Sequence, residues 1–219
     1  MSFSIFPRTV YKTESKISGE IEVKEQFGRY TLHVQDLIQS GGIVKGIWEK
    51  ALRQAQGKLS VSNCLILGLG GGTVVQLIKA RYPEAKIIGI EIDPEIIKIG
   101  KKFFGLGEIK NLEIINADAI KWVETKGTSE VARRDSSDGG RNRRFNLIIV
   151  DLYIGGKFPQ EIASDEFLKK LKKLLSKEGV IIFNWLKNGD EKEFIEKIER
   201  NFSKLEELNT RSNLFLFAH

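Results

Sequence analysis

Continuous apolar strands alternating with amphipathic helices from Asn63 to Asn184 predict an α/β fold, a mostly parallel sheet covered by helices on both faces. Two further observations predict the same class. A glycine-dense turn, Gly68-Leu69-Gly70-Gly71-Gly72, joins the first apolar run to an amphipathic segment, and the next apolar run ends on a carboxylate, Glu91. Strand, glycine turn, helix, strand and acidic residue together form a nucleotide-binding unit. Ligands of such sheets collect at the carboxyl ends of the strands, where strand order reverses.

The elements follow in order. Residues 17–23 and 29–34 alternate as two strands around Phe27-Gly28, which predicts an N-terminal hairpin. Gln39-Ser40-Gly41-Gly42 breaks the pattern, and a short helix runs from Val44 to Gln56 with Trp48, Ala51 and Leu52 on one face. Residues 1–56 are thus set apart from a nucleotide-binding domain over 57–219. Its first strand is Cys64 to Leu67, and the helix after it carries Val74, Leu77 and Ile78 at helical spacing. The second strand, Lys86 to Ile92, leads into Asp93-Pro94, an N-cap with proline at the first helical position. That helix presents Ile96, Ile99 and Phe103. A third strand, Leu112 to Ile115, precedes Asn116-Ala117-Asp118 and a helix holding Ile120 and Trp122. Residues 126–144, rich in Gly, Ser and charge, read as a mobile loop with a basic cluster at Arg133, Arg134, Arg141, Arg143 and Arg144. The fourth strand is Phe145 to Asp151, and its helix aligns Phe167, Leu168, Leu171, Leu174 and Leu175. The fifth is Gly179 to Asn184, with Trp185 just beyond as core or pocket wall. Asp190 and Glu193 form a capping box for another helix. Residues 204–208 and 214–217 close the chain as an antiparallel hairpin, for seven strands in all.

Composition excludes several classes of function. A chain of 219 residues, 41% hydrophobic and 29% charged, suits one sizeable globular domain with a small appendage. No apolar run approaches the roughly 20 residues that span a bilayer, so no membrane segment is expected. The first eight residues lack a charged segment followed by an apolar core, so no signal peptide is expected and a cytoplasmic location follows by default. Cys64, the only cysteine, lies inside the first strand as a small apolar residue. The two histidines, His33 and His219, share no ligand spacing, which argues against a zinc site or any other metal centre and against a Ser-His-Asp arrangement. The net charge of +6 is a modest lean toward anionic partners that a lysine-rich surface also accounts for.

The glycine turn distinguishes between nucleotides. A dinucleotide fingerprint starting at Gly68 fails at its sixth position, Thr73, and no Gly-Lys-Ser/Thr follows for a P-loop. The spacing Gly68-x-Gly70-x-Gly72 fits the loop that wraps the amino-acid tail of S-adenosylmethionine. Glu91 can accept hydrogen bonds from both ribose hydroxyls. Asp118 stands at the next strand end, as a further binding carboxylate or a helix cap. Asp151 ends a buried apolar strand, where a carboxylate is costly unless it has partners. Tyr153 reads as packing or as a wall of the acceptor pocket.

Leu67-Gly68-Leu69-Gly70-Gly71-Gly72, Glu91-Ile92-Asp93-Pro94, Asp118-Ala119 and Val150-Asp151-Leu152-Tyr153 resemble the spermidine synthase superfamily of methyltransferase-fold proteins. Pro159, Glu166-Phe167 and Gly179-Val180 extend the resemblance, and Gly28-Arg29, Gln39-Ser40 and Trp48-Glu49 resemble the N-terminal hairpin and helix of polyamine aminopropyltransferases. The resemblance implies a class I methyltransferase-like Rossmann fold with S-adenosylmethionine or its decarboxylated form as cofactor. It places Gly68, Gly70, Gly72 and Gln39 at the methionine-derived tail, Glu91 on the ribose, and Ile92, Asp118 and Ala119 around the adenine. Asp151 comes beside the sulfonium, where it orients or deprotonates an attacking amine, and Asp151 and Tyr153 are the catalytic candidates. A homodimer is a family-level expectation.

Two departures matter. Aminopropyltransferases carry an aspartate in the glycine loop where this chain has Gly71, and a second aspartate three residues after the one matching Asp151, where it has Ile154. The chain instead resembles a divergent spermidine synthase-like branch with Asp-x-Tyr at the fourth strand. On these grounds methyl transfer to a small-molecule nucleophile is placed first and aminopropyl transfer from decarboxylated S-adenosylmethionine second. A non-catalytic nucleotide-binding module and a nucleic-acid methyltransferase using the basic segment 133–144 are the alternatives.

Overall fold

Four antiparallel strands open the chain in spatial order, β1 (Arg8–Ser15), β2 (Gly19–Gln26), β3 (Arg29–Val34) and β4 (Leu37–Ser40). The computed structural model describes residues 6–35, 37–55, 60–126, 144–153, 158–187 and 191–219. The expected hairpin is β2–β3, and β1 and β4 enlarge it to a small sheet. Neither flanking strand alternates cleanly: β1 is mostly exposed, and β4 is four residues long and holds the polar pair Gln39-Ser40. Helix α1 (Gly42–Gln54) follows directly, two residues earlier than its apolar face suggests.

The second part begins with β5 (Asn63–Leu67), α2 (Thr73–Arg81), β6 (Lys86–Glu91), α3 (Pro94–Phe103) and β7 (Leu112–Asn116). A single turn, α4 (Ala119–Lys121), runs on as a π-helical turn to Lys126. Then come β8 (Phe145–Val150), α5 (Asp165–Leu174), β9 (Leu175–Leu186), α6 (Glu191–Asn201), β10 (Leu205–Asn209) and β11 (Asn213–Ala218). The sheet order is β10-β11-β9-β8-β5-β6-β7. Strands β9, β8, β5, β6 and β7 run parallel, and β11 lies antiparallel between β9 and β10. This is the expected α/β architecture, a mostly parallel seven-stranded methyltransferase-like Rossmann sheet with a closing antiparallel hairpin. Strand β9 starts at Leu175, immediately after α5, rather than at Gly179. Residues 127–143 of the expected basic loop and Asp190 of the expected capping box lie outside the described residues; Arg144 is described and exposed. Among the described residues no helix is long and apolar enough to cross a membrane.

Two apolar layers hold the sheet. One face, with Leu65, Leu67, Ile148, Val150 and Phe183, packs on Trp122, Phe167, Leu171, Phe194 and Ile198. The other, with Cys64, Ile66, Ile149, Ile182 and Phe215, packs on Trp48, Val74 and Ile78. The N-terminal sheet turns Ile21, Val23, Leu32 and Val34 onto Ile96, Ile99 and Phe104, so it docks on α3. Strand order reverses between β5 and β8, which places the crevice at their carboxyl ends.

Phe215 is fully buried and meets the Trp48 ring edge-on at 5.0 Å, tying the closing hairpin to α1. Phe215→Ala should cost about 3–5 kcal/mol, read as a lower urea midpoint at unchanged slope.

Candidate functional site

The first strand end shapes everything around it. Gly68 and Leu69 both donate to Ile90 O at 3.0 Å, while Asp151 N donates to Leu67 O at 2.9 Å. Gly68 has φ +88° and faces the Asp151 carbonyl, with no space for a side chain between them. The chain then turns through Gly70, whose N–H donates to Glu91 Oε2 at 2.9 Å; the other oxygen of Glu91 accepts from Asp93 N at 3.1 Å. Glu91 is 7% exposed, and burial pushes its carboxyl above the usual range against the pull of these two N–H donors. Asn116 Nδ2 donates to the carbonyls of Glu91 and Ile92, both at 2.9 Å, and fixes the end of β6.

A cavity of about 240 Å³ opens over these strand ends. It is lined by Gly68, Gly70, Glu91 and Ile92 from the glycine unit, by Asp118 and Ala119 after β7, and by Asp151 and Tyr153 after β8. Gln39 reaches it from β4. Gly72 does not line it: a side chain there would strike Leu106, so this glycine serves packing at the start of α2 rather than close approach to a ligand. Asp118 also caps α4, accepting from Ile120 N at 2.9 Å and Lys121 N at 3.2 Å. Asp93 caps α3 through Glu95 N, as expected, and additionally accepts from Ser18 Oγ at 2.5 Å.

The Asp151 carboxylate has two donors. Trp48 Nε1 reaches Oδ2 at 3.2 Å and Asn184 Nδ2 reaches Oδ1 at 2.7 Å. Burial pushes the carboxyl up to about 6 while these donors hold it back. The Tyr153 hydroxyl donates to Asn184 O at 2.5 Å and accepts from Leu186 N at 2.8 Å, and burial with the nearby Asp151 charge pushes it well above its usual range. The hydroxyl thus both donates to and accepts from the backbone of β9, and Tyr153 lines the cavity. Trp185 stacks on Phe194 with ring centroids 4.4 Å apart and lies against Phe158, inside the core.

The N-terminal sheet completes the enclosure. Ile17, Val34, Leu37 and Ile38 line the cavity beside Gln39 and Ser40. Ser40 Oγ accepts from Gly71 N at 2.8 Å, and Thr73 Oγ1 accepts from Gly41 N at 2.8 Å. Sequence reasoning had no signal for Asn184, Asn213 or Ser18 at the site. Trp48 carried the pattern of a core residue on a helix face, which it also is.

Fold and crevice define a Rossmann-type domain with a cavity at the point of strand reversal, a fold shared by methyltransferases and spermidine synthases. The chain belongs to the spermine/spermidine synthase domain family, whose profile matches residues 54–216. It is 27% identical over 191 residues to the polyamine aminopropyltransferase of Chromobacterium violaceum, covering 82% of this chain and 67% of that protein. The corresponding Vibrio vulnificus protein is 29% identical over 120 residues, but the match spans 36% of its length. The Mus musculus eEF1A lysine and N-terminal methyltransferase is 26% identical over 121 residues, 55% of this chain and 16% of that one. Among solved structures, a probable spermidine synthase from Corynebacterium glutamicum superposes with a TM-score of 0.71 at 16% identity, covering 98% of this chain and 80% of that one. Human methyltransferase-like protein 13, in complex with SAH, gives 0.65 at 22% identity, covering 78% and 81%.

The raised Asp151 value has a sign in stability. The folded carboxyl holds its proton to about 6 against an ordinary value of 3.8, so between these pH values the folded state binds more protons than the unfolded one. The stabilisation is complete below the lower value and is lost as pH rises through the upper one. Wild-type protein should therefore lose thermal stability relative to Asp151→Asn on going from pH 4 to pH 6.5, with a constant difference above that. Parallel melting curves of the two proteins check this; the Glu91 contribution is common to both and cancels.

Proposed function

We propose that the chain is a transferase acting on an adenosyl sulfonium, with aminopropyl transfer from decarboxylated S-adenosylmethionine to an amine as its reaction. The observation that carries the reading is the meeting of Gly68, Gly70, Glu91, Asp118 and Asp151 in one cavity closed by the N-terminal sheet. A spermidine synthase structure covers 96% of this chain, that sheet included, and polyamine aminopropyltransferases are prominent among its relatives. Both weigh against placing methyl transfer first.

The residues present suit such a ligand. Glu91 would take the ribose hydroxyls, Ile92, Asp118 and Ala119 the adenine, and Gly68, Gly70 and Gln39 the aliphatic tail. Bound, the sulfonium supplies an electrophilic carbon and a neutral thioether as leaving group. Asp151 would stand where the amine nitrogen approaches that carbon. As the C–N bond forms and the C–S pair returns to sulfur, the proton leaving nitrogen passes to the Asp151 carboxylate or to water. A carboxyl near 6 is ionised enough at neutral pH to accept it. Positioning and a fixed charge supply the catalysis.

Methyl transfer from S-adenosylmethionine is the second reading, and a specific observation favours it. A side chain at Gly71 would meet Ser40 Cβ and Oγ at 2.9 Å, so the loop aspartate of aminopropyltransferases has no room. A loop without that charge tolerates the carboxylate of the intact methionine tail. Ile154, the other departure, lies outside the described residues. Nucleic acid, a homodimer and a non-catalytic role draw no support from these residues.

Titration calorimetry with the two nucleotides decides between the readings. Tighter binding of the decarboxylated form, with methylthioadenosine released on adding putrescine or another amine, is expected. Preference for S-adenosylmethionine with S-adenosylhomocysteine as product would establish the methyl reading instead, and no heat with either would remove both. Glu91→Ala should weaken the preferred nucleotide by about a hundredfold or more, the loss of two charge-assisted hydrogen bonds to the ribose; unchanged affinity would refute the ribose assignment.

A further inference from the structure

A line of hydrogen bonds reaches Asp151 from the closing hairpin. Ser212 Oγ donates to Asn213 Oδ1 at 2.7 Å, Asn213 Nδ2 donates to Asn184 Oδ1 at 2.8 Å, and Asn184 Nδ2 donates to Asp151 Oδ1 at 2.7 Å. Asn213 and Asn184 are 5% and 7% exposed, and they are diagonal neighbours across the β9–β11 ladder, where Phe215 pairs with Asn184 and Asn213 with Leu186. Every bond in the line donates toward the carboxylate. We infer that Asn213 is a positioning residue: it dictates which end of the Asn184 amide faces Asp151, and so decides that the carboxylate receives an N–H there instead of a carbonyl.

An amide has a donor end and an acceptor end, and a buried one must match both. Asn213 offers a donor, so Asn184 presents Oδ1 to it and Nδ2 to Asp151. Asn213 is itself anchored. Its own N–H donates to Thr210 Oγ1 at 2.9 Å, its carbonyl accepts from Thr210 N at 2.8 Å, and Ser212 occupies its side-chain oxygen. Tyr153 clamps the same stretch of β9 at Asn184 O and Leu186 N. On the far side, Trp48 Nε1 can only donate. Asp151 is thereby surrounded by donors, which favours its ionised form. Among the described residues the other titratable groups lining the same cavity are Glu91 from β6, Asp118 before α4 and Tyr153 after β8; α1 and β9 give Asp151 the indole and the Asn184 amide, with Asn213 of β11 and Ser212 just before it behind them. The consequence for catalysis rests on the transferase reading above, while the effect on Asp151 does not.

Asn213→Asp tests the inference because it changes polarity at nearly constant shape. Its carboxylate accepts only, so Asn184 turns its N–H toward it and its carbonyl toward Asp151. Asp151 can satisfy that carbonyl only when protonated, and the added negative charge acts in the same direction. The readout is the indole N–H resonance of Trp48 in nitrogen-15 spectra, which follows ionisation of the carboxylate it touches. Trp122 and Trp185 serve as references, their indole N–H groups having no hydrogen-bond partner among the described residues. In wild-type protein the Trp48 resonance should titrate near pH 6, the value burial gives Asp151, and Asp151→Asn should abolish that titration. In Asn213→Asp the midpoint should rise by about one pH unit or more, and the pH profile of kcat should move with it, leaving roughly half of the wild-type rate or less at pH 7. A Trp48 midpoint unchanged in the folded variant, or no titration in wild-type protein, overturns the inference. A shifted midpoint with no detectable transfer in any variant sustains the inference and removes the transferase reading. If Asn213→Asp does not fold, Asn213→Ala, which frees Asn184 without adding charge, carries the test: a smaller upward shift supports the inference, and an unmoved midpoint overturns it.

Discussion

The carboxyl ends of β5 and β8 approach so closely that nothing larger than a hydrogen fits on Gly68, and the rest of the site depends on that crowding. Parallel pairing of Leu67 with Val150 brings the two chains to the same level, and the Asp151 N–H extends the ladder by one more bond to Leu67 O. From there the chains diverge. The β5 side must turn at once, through backbone angles glycine adopts freely, and the β8 side delivers Asp151 to the cavity wall. The glycine cradle and the acidic group are thus two products of one steric event. Glu91 stands in the same relation to the turn, since its two oxygens hold Gly70 N and Asp93 N.

The N-terminal sheet is part of this construction. Ser40 and Gly41 bind the loop at Gly71 and Thr73, and Ser18 binds the Asp93 cap of α3. These three bonds join backbone and side chains across 31, 32 and 75 residues. Apolar contact with Ile96, Ile99 and Phe104 backs them. Thr73, which spoils the dinucleotide pattern, therefore has a positive use: its hydroxyl receives the sheet. A cleft assembled from two parts of a chain can be tuned by either, and here the apolar residues Ile17, Leu37 and Ile38 give the N-terminal side of the cavity a character unlike that of its acidic floor.

Local order was legible in the sequence; lateral order was not. The parallel strands, the glycine turn, the Asp93 cap and the acidic strand ends follow from periodicity and from residue types at adjacent positions. Of the ten candidate site residues, Gly72 alone stays off the cavity wall, because a repeating glycine spacing cannot distinguish a glycine that admits a ligand from one that admits Leu106. Tyr153 poses the same difficulty at the level of a functional group: a phenol beside a carboxylate suggests chemistry, and nothing adjacent in sequence announces its two hydrogen bonds to the β9 backbone. The partners of Asp151 were out of reach altogether. Trp48 lies 103 residues away and Asn184 33, and Asn213 adds a further 29. No spacing rule links a helix tryptophan and a strand-end asparagine to one carboxylate; only the closed sheet does.

The same lateral logic explains why Gly71 is more than a missing aspartate. Its N–H is bound by Ser40 Oγ, and the space a side chain would need is filled by that serine's Cβ and Oγ at 2.9 Å. The neutral loop is therefore held neutral from outside, by a residue 31 positions earlier in a different sheet. An aspartate introduced at 71 would have to expel the hydroxyl that anchors the loop before it could face the cavity. Any charge the amino end of a ligand's tail requires must then come from elsewhere on the wall, and among the described lining residues the carboxylates are Glu91, Asp118 and Asp151. Glu91 is committed to two backbone N–H groups and Asp118 to the first turn of α4. On the proposed aminopropyl reading Asp151 would face both duties, holding a cation and receiving a proton, and a single carboxylate cannot do both at the same moment. Under the proposed function this conflict makes the identity of the tail, carboxylated or not, the variable on which the chemistry would turn.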